Sequence, residues 1–290
     1  MFQIRFLLLF IVTLSIGFWG LTHPWQKTPD LTGLDTDPDR GEIVFYAAGC
    51  AGCHSAPQAK GEDRLVLAGG QQFNTQFGTF VAPNISMDRD HGIGAWSLFD
   101  FTRAVRNGVS PEGKHYYPAF PYASYHHMTD QDIADLWRFW ATLPSSDRAN
   151  EPHDLAIFAR WRRPVGIWKL LFSPTPWDNS APSQARGQYL VQALGHCAEC
   201  HTPRNILGGL KTNDWMAGAP SPDGKGRIPA ITPSALGWSA SDIAAYLKSG
   251  FTPDYDVAGG LMAEVIENTS NLSDADLLAI GDYLVNLNQQ

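Results

Sequence analysis

Cysteine is scarce in this chain: four residues in 290, at positions 50, 53, 197 and 200, all within C-x-x-C pairs. None is left over for a structural disulfide. Basic runs and nucleic-acid stacking motifs are missing, and the formal net charge is −8, which makes the chain a poor nucleic-acid binder. That acidity suits the orienting of a protein partner that carries a basic patch. There is no phosphate loop, nucleophile elbow, HExxH motif or convincing acid/base pair, so the usual substrate-processing chemistries have no constellation to act through. Low-complexity tracts are absent too. A hydrophobic content of 44% is that of a globular protein, and the length leaves room for two modest domains.

The cysteines that are present come in two matching stretches, "GCAGCHSAP" from Gly49 and "HCAECHTPR" from His196. Two C-x-x-C pairs could build a four-thiolate zinc site. Here, however, Cys50-Cys53 and Cys197-Cys200 lie 147 residues apart, and each pair is followed at once by a histidine, His54 or His201. C-x-x-C-H is the attachment signature of haem c: two thioether bonds tether the porphyrin edge and the adjacent imidazole becomes the proximal iron ligand. The expectation is two covalently bound haem c groups.

At the N-terminus, Arg5 precedes a largely apolar run from Phe6 to Leu21. The segment, residues 1–25, is either a retained membrane anchor, the preferred reading, or a cleaved signal peptide with Ser15-x-Gly17 as a weak processing site. Its length is at the short edge of a membrane span. Trp19 and Trp25 suit the outer interface and Arg5 the cytoplasmic flank.

Past this leader the chain is written twice. Trp96 onward, "WSLFDFTRAVRNG", matches "WSASDIAAYLKSG" from Trp238, and "MTDQDIADLWRFW" from Met128 matches "LSDADLLAIGDYL" from Leu272. Ser97, Thr129, Ser239 and Ser273, each followed three residues later by Asp, predict capped helix starts. Gly108 and Gly250 stand where a helix end calls for a left-handed residue. An amphipathic run precedes each haem motif, and no β-alternating segment competes seriously. The predicted fold is all-α. Each unit holds a helix, an attachment turn, a Gly/Pro-rich loop, a middle helix, a second loop and a closing helix. Boundaries fall at 36–147 and 182–289, joined by a linker at 148–181. Within that linker, the stretch from His153 to Trp177 carries Phe158, Trp161, Trp168, Phe172, Trp177 and four basic residues. Its aromatics are expected to pack the units together, or else to form a docking surface for membrane or partner.

This layout resembles the class I cytochrome c fold in two tandem copies. More closely it is similar to the cytochrome c subunits of membrane-bound dehydrogenases, through "APNIS" (Ala82–Ser86), "GIGAWS" (Gly92–Ser97), "YPAFPYASY" (Tyr117–Tyr125) and "GHCAECHTPRN" (Gly195–Asn205). Those subunits commonly carry three haems, whereas two motifs are present here. The resemblance implies haem attachment on the periplasmic side of a bacterial inner membrane. It also implies that the carbonyls of Pro83 and Pro229 accept the free N–H of each proximal histidine. Trp96 and Trp238 either lie along the haem edges or simply fill the core.

The resemblance places a distal methionine between the middle and closing helices. In the second unit this is Met262, with Gly259 and Gly260 letting a loop approach the haem. In the first unit the corresponding position is Phe120, which cannot coordinate iron. The replacements on offer are Met128, His115, His126 and His127, or no ligand at all. Met128 is also read as an apolar clamp, because Leu272 is its repeat counterpart.

The expected function is single-electron transfer from a dehydrogenase to a downstream cytochrome or terminal oxidase, with inner-membrane association and no catalysis by the polypeptide itself. The alternative is a dihaem enzyme of peroxidase or thiosulfate-oxidising type that uses an open first haem. A tethering role for a soluble dehydrogenase is compatible with either.

Overall fold

In the computed structural model, which describes residues 2–24, 29, 31–172, 185–221, 224 and 226–287, the helical pattern is laid down twice. After α1 (Phe2–Leu21) come α2 (Pro38–Ala47), α3 (Cys50–His54), α4 (Leu98–Asn107), α5 (Tyr122–Tyr125) and α6 (Asp130–Trp140). A connecting helix, α7 (Val165–Phe172), leads to α8 (Ala185–Gln188), which runs into a π-helical turn over Tyr189–Leu194. Then follow α9 (Ala198–His201), α10 (Pro233–Leu236), α11 (Ala240–Ser249), α12 (Leu261–Thr269) and α13 (Asp274–Val285). Trp25 and Trp177 lie outside the described residues.

The helix boundaries follow the predicted signals. Ser97 and Ser239 form full capping boxes with Asp100 and Asp242, satisfying backbone donors at the starts of α4 and α11. The hydroxyls of Thr129 and Ser273 accept from the N–H groups of Asp132 and Asp276 at 3.0 and 3.1 Å. Gly108 and Gly250 end α4 and α11 at φ 60° and 80°, a conformation that costs glycine nothing.

The core is built where the first and last helices of each unit cross. A Cβ on Gly41 of α2 would lie 2.1 Å from the Asp135 carbonyl oxygen of α6, and one on Gly187 of α8 would lie 2.1 Å from that of Ala279 in α13. Only glycine permits this backbone approach. Phe45, fully buried, then wedges against Phe139 and Trp140 at ring distances of 5.3 and 5.7 Å. Burying such a ring is worth about 1.5–3 kcal/mol. Asp135, on α6, reaches back to α2: its carboxylate accepts from the Asp37 N–H at 2.7 Å and from Arg40 Nε at 2.8 Å.

The units are not separate cores. One buried cluster includes Phe45, Ile133 and Trp140 together with Val191, Leu194 and Leu277. Arg64, on a 3-10 turn after α3, forms ion pairs with Glu264, at 2.8 Å, and Glu267 of α12. That helix lies against both α2 and α3.

The all-α expectation holds in part, for the structure is rich in helix but also has short strands. Strands β1 (Gln72–Thr75), β2 (Gly78–Val81) and β3 (Asp154–Leu155) form an antiparallel sheet in the order β1-β2-β3, and β4 (Ala219–Pro220) pairs with β5 (Arg227–Ile228). The first hairpin is legible afterwards in Phe73, Thr75, Thr79 and Val81, residues that suit a pleated surface. Gly78, at φ 113°, starts β2 where a Cβ would lie 2.4 Å from the Asp154 carbonyl oxygen. Chain from the start of the predicted linker therefore completes the first unit: Asn84 Nδ2 donates to the Ser146 and Arg148 carbonyls, and the Asn84 N–H donates to Asn150.

Candidate haem-attachment sites

Each C-x-x-C-H stretch forms a short helix at the end of a longer one. Cys50, Cys53 and His54 sit on α3. Cys197 caps α9, which carries Cys200 and His201. All four thiols are free, Cys53 and Cys200 exposed and Cys50 and Cys197 partly so. Burial pushes the Cys50 and Cys197 thiols up to about 12, so both stay protonated at neutral pH.

The imidazoles are set identically. His54 Nδ1 lies 3.0 Å from the Pro83 carbonyl oxygen, and His201 Nδ1 lies 2.8 Å from that of Pro229. A carbonyl can only accept, so Nδ1 carries the proton and Nε2 keeps its lone pair for a metal. Burial holds both imidazoles below the usual histidine range, opposed by those carbonyl bonds, and so favours the neutral, ligating form.

The loop behind each imidazole is also repeated. The Gly69 N–H donates to the His54 carbonyl and the Gly218 N–H to that of His201, both at 2.7 Å. Leu67 and Met216, both fully buried, take the left-handed conformation at φ 55° and 56°. Their carbonyls accept from the Ile85 and Ile231 N–H groups at 3.1 and 2.9 Å. Unpaired thiols beside an imidazole with a committed Nδ1 are the donor set that a covalently tethered haem requires, and the residues fit that group. Among the described residues, no cluster of three or more His, Cys, Asp or Glu side chains offers a separate metal site.

Sequence reasoning missed the residues that join the two motifs. Tyr125 is buried, its hydroxyl donates to the Ala48 carbonyl at 2.8 Å, and its ring meets His196 at 5.5 Å. Burial, reinforced by the neighbouring Cys50 and Cys53, holds its phenol well above the usual range. His196 occupies the place of Gly49 and, like it, has positive φ, 40° against 64°. That substitution between repeats was the available signal. Tyr125 thus touches both the residue two before Cys50 and the residue just before Cys197, which makes the two attachment turns neighbours in space.

The distal candidates are dispersed. Met262 is on the first turn of α12, half-buried against the core, and so stands in a helix rather than the expected loop; Gly260, at φ 56°, turns the chain into it. Met128 is 3% exposed, as enclosed as Leu272 at 2%. Phe120 lies among Tyr116, Tyr122 and Tyr125, with ring distances of 6.2, 6.3 and 5.8 Å. His115 is buried with Nε2 2.9 Å from the Thr22 carbonyl. His126 and His127 face each other edge to face at 5.9 Å. Trp96 and Trp238 are partly buried against the core.

A thiol pair followed by a carbonyl-tied imidazole defines a c-type cytochrome. The cytochrome c family model matches residues 38–144. The chain is 56% identical to a diheme cytochrome c-type protein of Cereibacter sphaeroides, over 96% of this chain and 95% of that one. It is 38% identical to a fructose dehydrogenase cytochrome subunit of Gluconobacter japonicus, over 94% of this chain and 57% of that one. With a gluconate 2-dehydrogenase cytochrome c subunit of Pantoea cypripedii it shares 36% identity, over 86% of this chain and 59% of that one. The chain belongs to the dihaem c-type cytochrome family. It spans little more than half of either dehydrogenase subunit.

Proposed function

We propose that this protein carries two covalently bound haem c groups. It passes single electrons from a dehydrogenase at the periplasmic face of the inner membrane to a downstream cytochrome or terminal oxidase. The observation that carries the reading is the duplicated proximal setting, His54 on the Pro83 carbonyl and His201 on that of Pro229. Bound haem would supply the one-electron iron couple. The polypeptide supplies tethering thiols, oriented imidazoles and a low-dielectric enclosure. Two cytochrome c units, 36–147 and 182–289, share a core, and the Tyr125 contacts that link the two attachment turns suit transfer between haems within one chain.

On this reading Met262 is the sulfur ligand of the second iron. For the first, the enclosure of Met128 favours its apolar role, clamping the start of α6 as Leu272 does at α13. Phe120, one ring away from the Tyr125 that adjoins Cys50 and Cys53, then lies over the first site. A first haem held without a thioether ligand would have the lower potential, which would direct the electron toward the second. The N-terminal helix is retained as the anchor: Thr22, just past its end, is fully buried and bonded to the body of the protein.

The test is a pyridine haemochrome assay with intact-mass measurement and a redox titration of the purified protein. The expected result is two haems per chain and two resolved one-electron waves. A mass equal to the bare polypeptide would overturn the reading.

A further inference from the structure

The connecting helix α7 is amphipathic the wrong way round. Ile167, Leu170 and Leu171, three and four residues apart and so on one face, are exposed at 38%, 61% and 63%. The polar end of Lys169 is turned inward instead, donating to the Asn107 and Gly108 carbonyls at 2.6 and 2.8 Å, at the C-terminal end of α4. The chain just before it behaves alike: Ile157, Phe158 and Trp161 are exposed at 84%, 68% and 57%. The cations of this stretch are engaged by the protein. Arg160 donates to the Leu155 carbonyl, Arg162 lies over the Tyr117 ring at 4.8 Å, and Arg163 faces α1. What remains outward is an apolar patch on a segment the water-facing surface of a protein rarely tolerates.

Its position names the occupant. Helix α1 is long and apolar enough to cross a membrane, and no residue of Gln3–Leu21 is buried in the protein. The end of that helix is fastened to the patch. Arg163 donates to the Trp19 carbonyl at 2.7 Å and to Thr22 Oγ1 at 2.8 Å, and it stacks over the Trp19 ring at 4.4 Å. The Phe18 and Trp161 rings meet at 5.3 Å, and Gly166 sits so close to Thr22 that a Cβ there would lie 2.8 Å from its Cα. The apolar face is therefore continuous with the point where α1 leaves the lipid.

We propose that the segment from Ile157 to Leu171 is a monotopic membrane-contact surface. Its exposed apolar side chains enter the headgroup–acyl boundary of the leaflet from which α1 emerges, to a depth of roughly 5–10 Å. The haem units are thereby held against the bilayer at a fixed orientation. This rests on the anchor reading of α1.

The test uses the full-length holoprotein, whose native cysteines are consumed by haem, so one introduced cysteine is the sole labelling site. Nitroxide is placed at Leu170→Cys or Phe158→Cys, with Lys60→Cys as an exposed control. The proteins are reconstituted in phosphatidylethanolamine/phosphatidylglycerol vesicles without any partner. Flotation of all three variants with the vesicles establishes the anchor. Power saturation with oxygen and with a water-soluble nickel chelate then reports depth. The expected result is an oxygen-to-nickel accessibility ratio at 170 and 158 on the order of tenfold above that at 60, as for side chains below the headgroups. Floating protein whose 170 and 158 labels are as wet as that at 60 would overturn the proposal, leave the anchor intact and assign the patch to a protein partner. Failure to float would overturn the anchor and this surface together.

Discussion

Phe120 is the residue at which the two repeats part in chemistry. Its carbon ring lies where the repeat offset sets it against Met262, and it packs beside Tyr125 at the first attachment turn. On the proposed ligand set, a thioether at this position would bring the first site closer in chemistry to the second. Phe120→Met is therefore expected to raise the lower of the two haem potentials by more than ~59 mV, a tenfold shift in a one-electron equilibrium. The check is a spectroelectrochemical titration beside the parent protein; an unchanged lower wave would remove Phe120 from the first site. The two C-x-x-C-H stretches stood out in sequence, because thiol spacing and the following histidine are a local signal. Pro83 and Pro229 were legible only through resemblance. Tyr125 and His196 were not, because their contact is made across units, and no pattern along the chain encodes it.

Among the elements, the α2–α6 crossing depends on a buried carboxylate. The Asp135 side chain is 1% exposed. Burial by itself would raise its affinity for a proton, but hydrogen bonds from Arg40, the Asp37 N–H and Gln131 outweigh that and hold its carboxyl below the usual range. A carboxylate depressed in the folded state stabilises above its unfolded value, about pH 4, and that contribution fades as pH falls through the folded value. Asp135→Asn is expected to lower stability by roughly 2 kcal/mol at pH 7. The difference from the parent should narrow below about pH 4, as read from urea midpoints at both pH values; a gap that stays constant would discount the ionised form. The helices themselves were foreseen from Ser97, Thr129, Ser239 and Ser273, since capping is chemistry within a single turn. The β1–β2 hairpin escaped because four-residue strands carry little periodicity. α12 escaped because the glycines before Met262 read as loop.

For the whole molecule, the shared cluster and the Arg64 pairs with Glu264 and Glu267 join the two repeats into one packed body. Thermal unfolding followed by Soret absorbance, tryptophan emission and far-ultraviolet circular dichroism is expected to give coincident midpoints. Separated transitions would show that the units melt independently. The linker illustrates why global organisation was only half visible in sequence. Trp168 does join the units, its ring 6.4 Å from that of Tyr122 and its Nε1–H bonded to the Leu207 carbonyl. Trp161, seven residues earlier in the same basic-aromatic stretch, faces outward instead. Composition is the same for both; only the packing of the chain around them separates the roles.

On the proposed anchoring of α1, the grip of Arg163 and His115 on Thr22 would fasten the body of the protein directly to its foot in the bilayer. A rigid foot turns the search for redox partners into traffic within a plane. The molecule would drift sideways with its two attachment turns carried at one height, and a partner would have to present its reactive edge at that height.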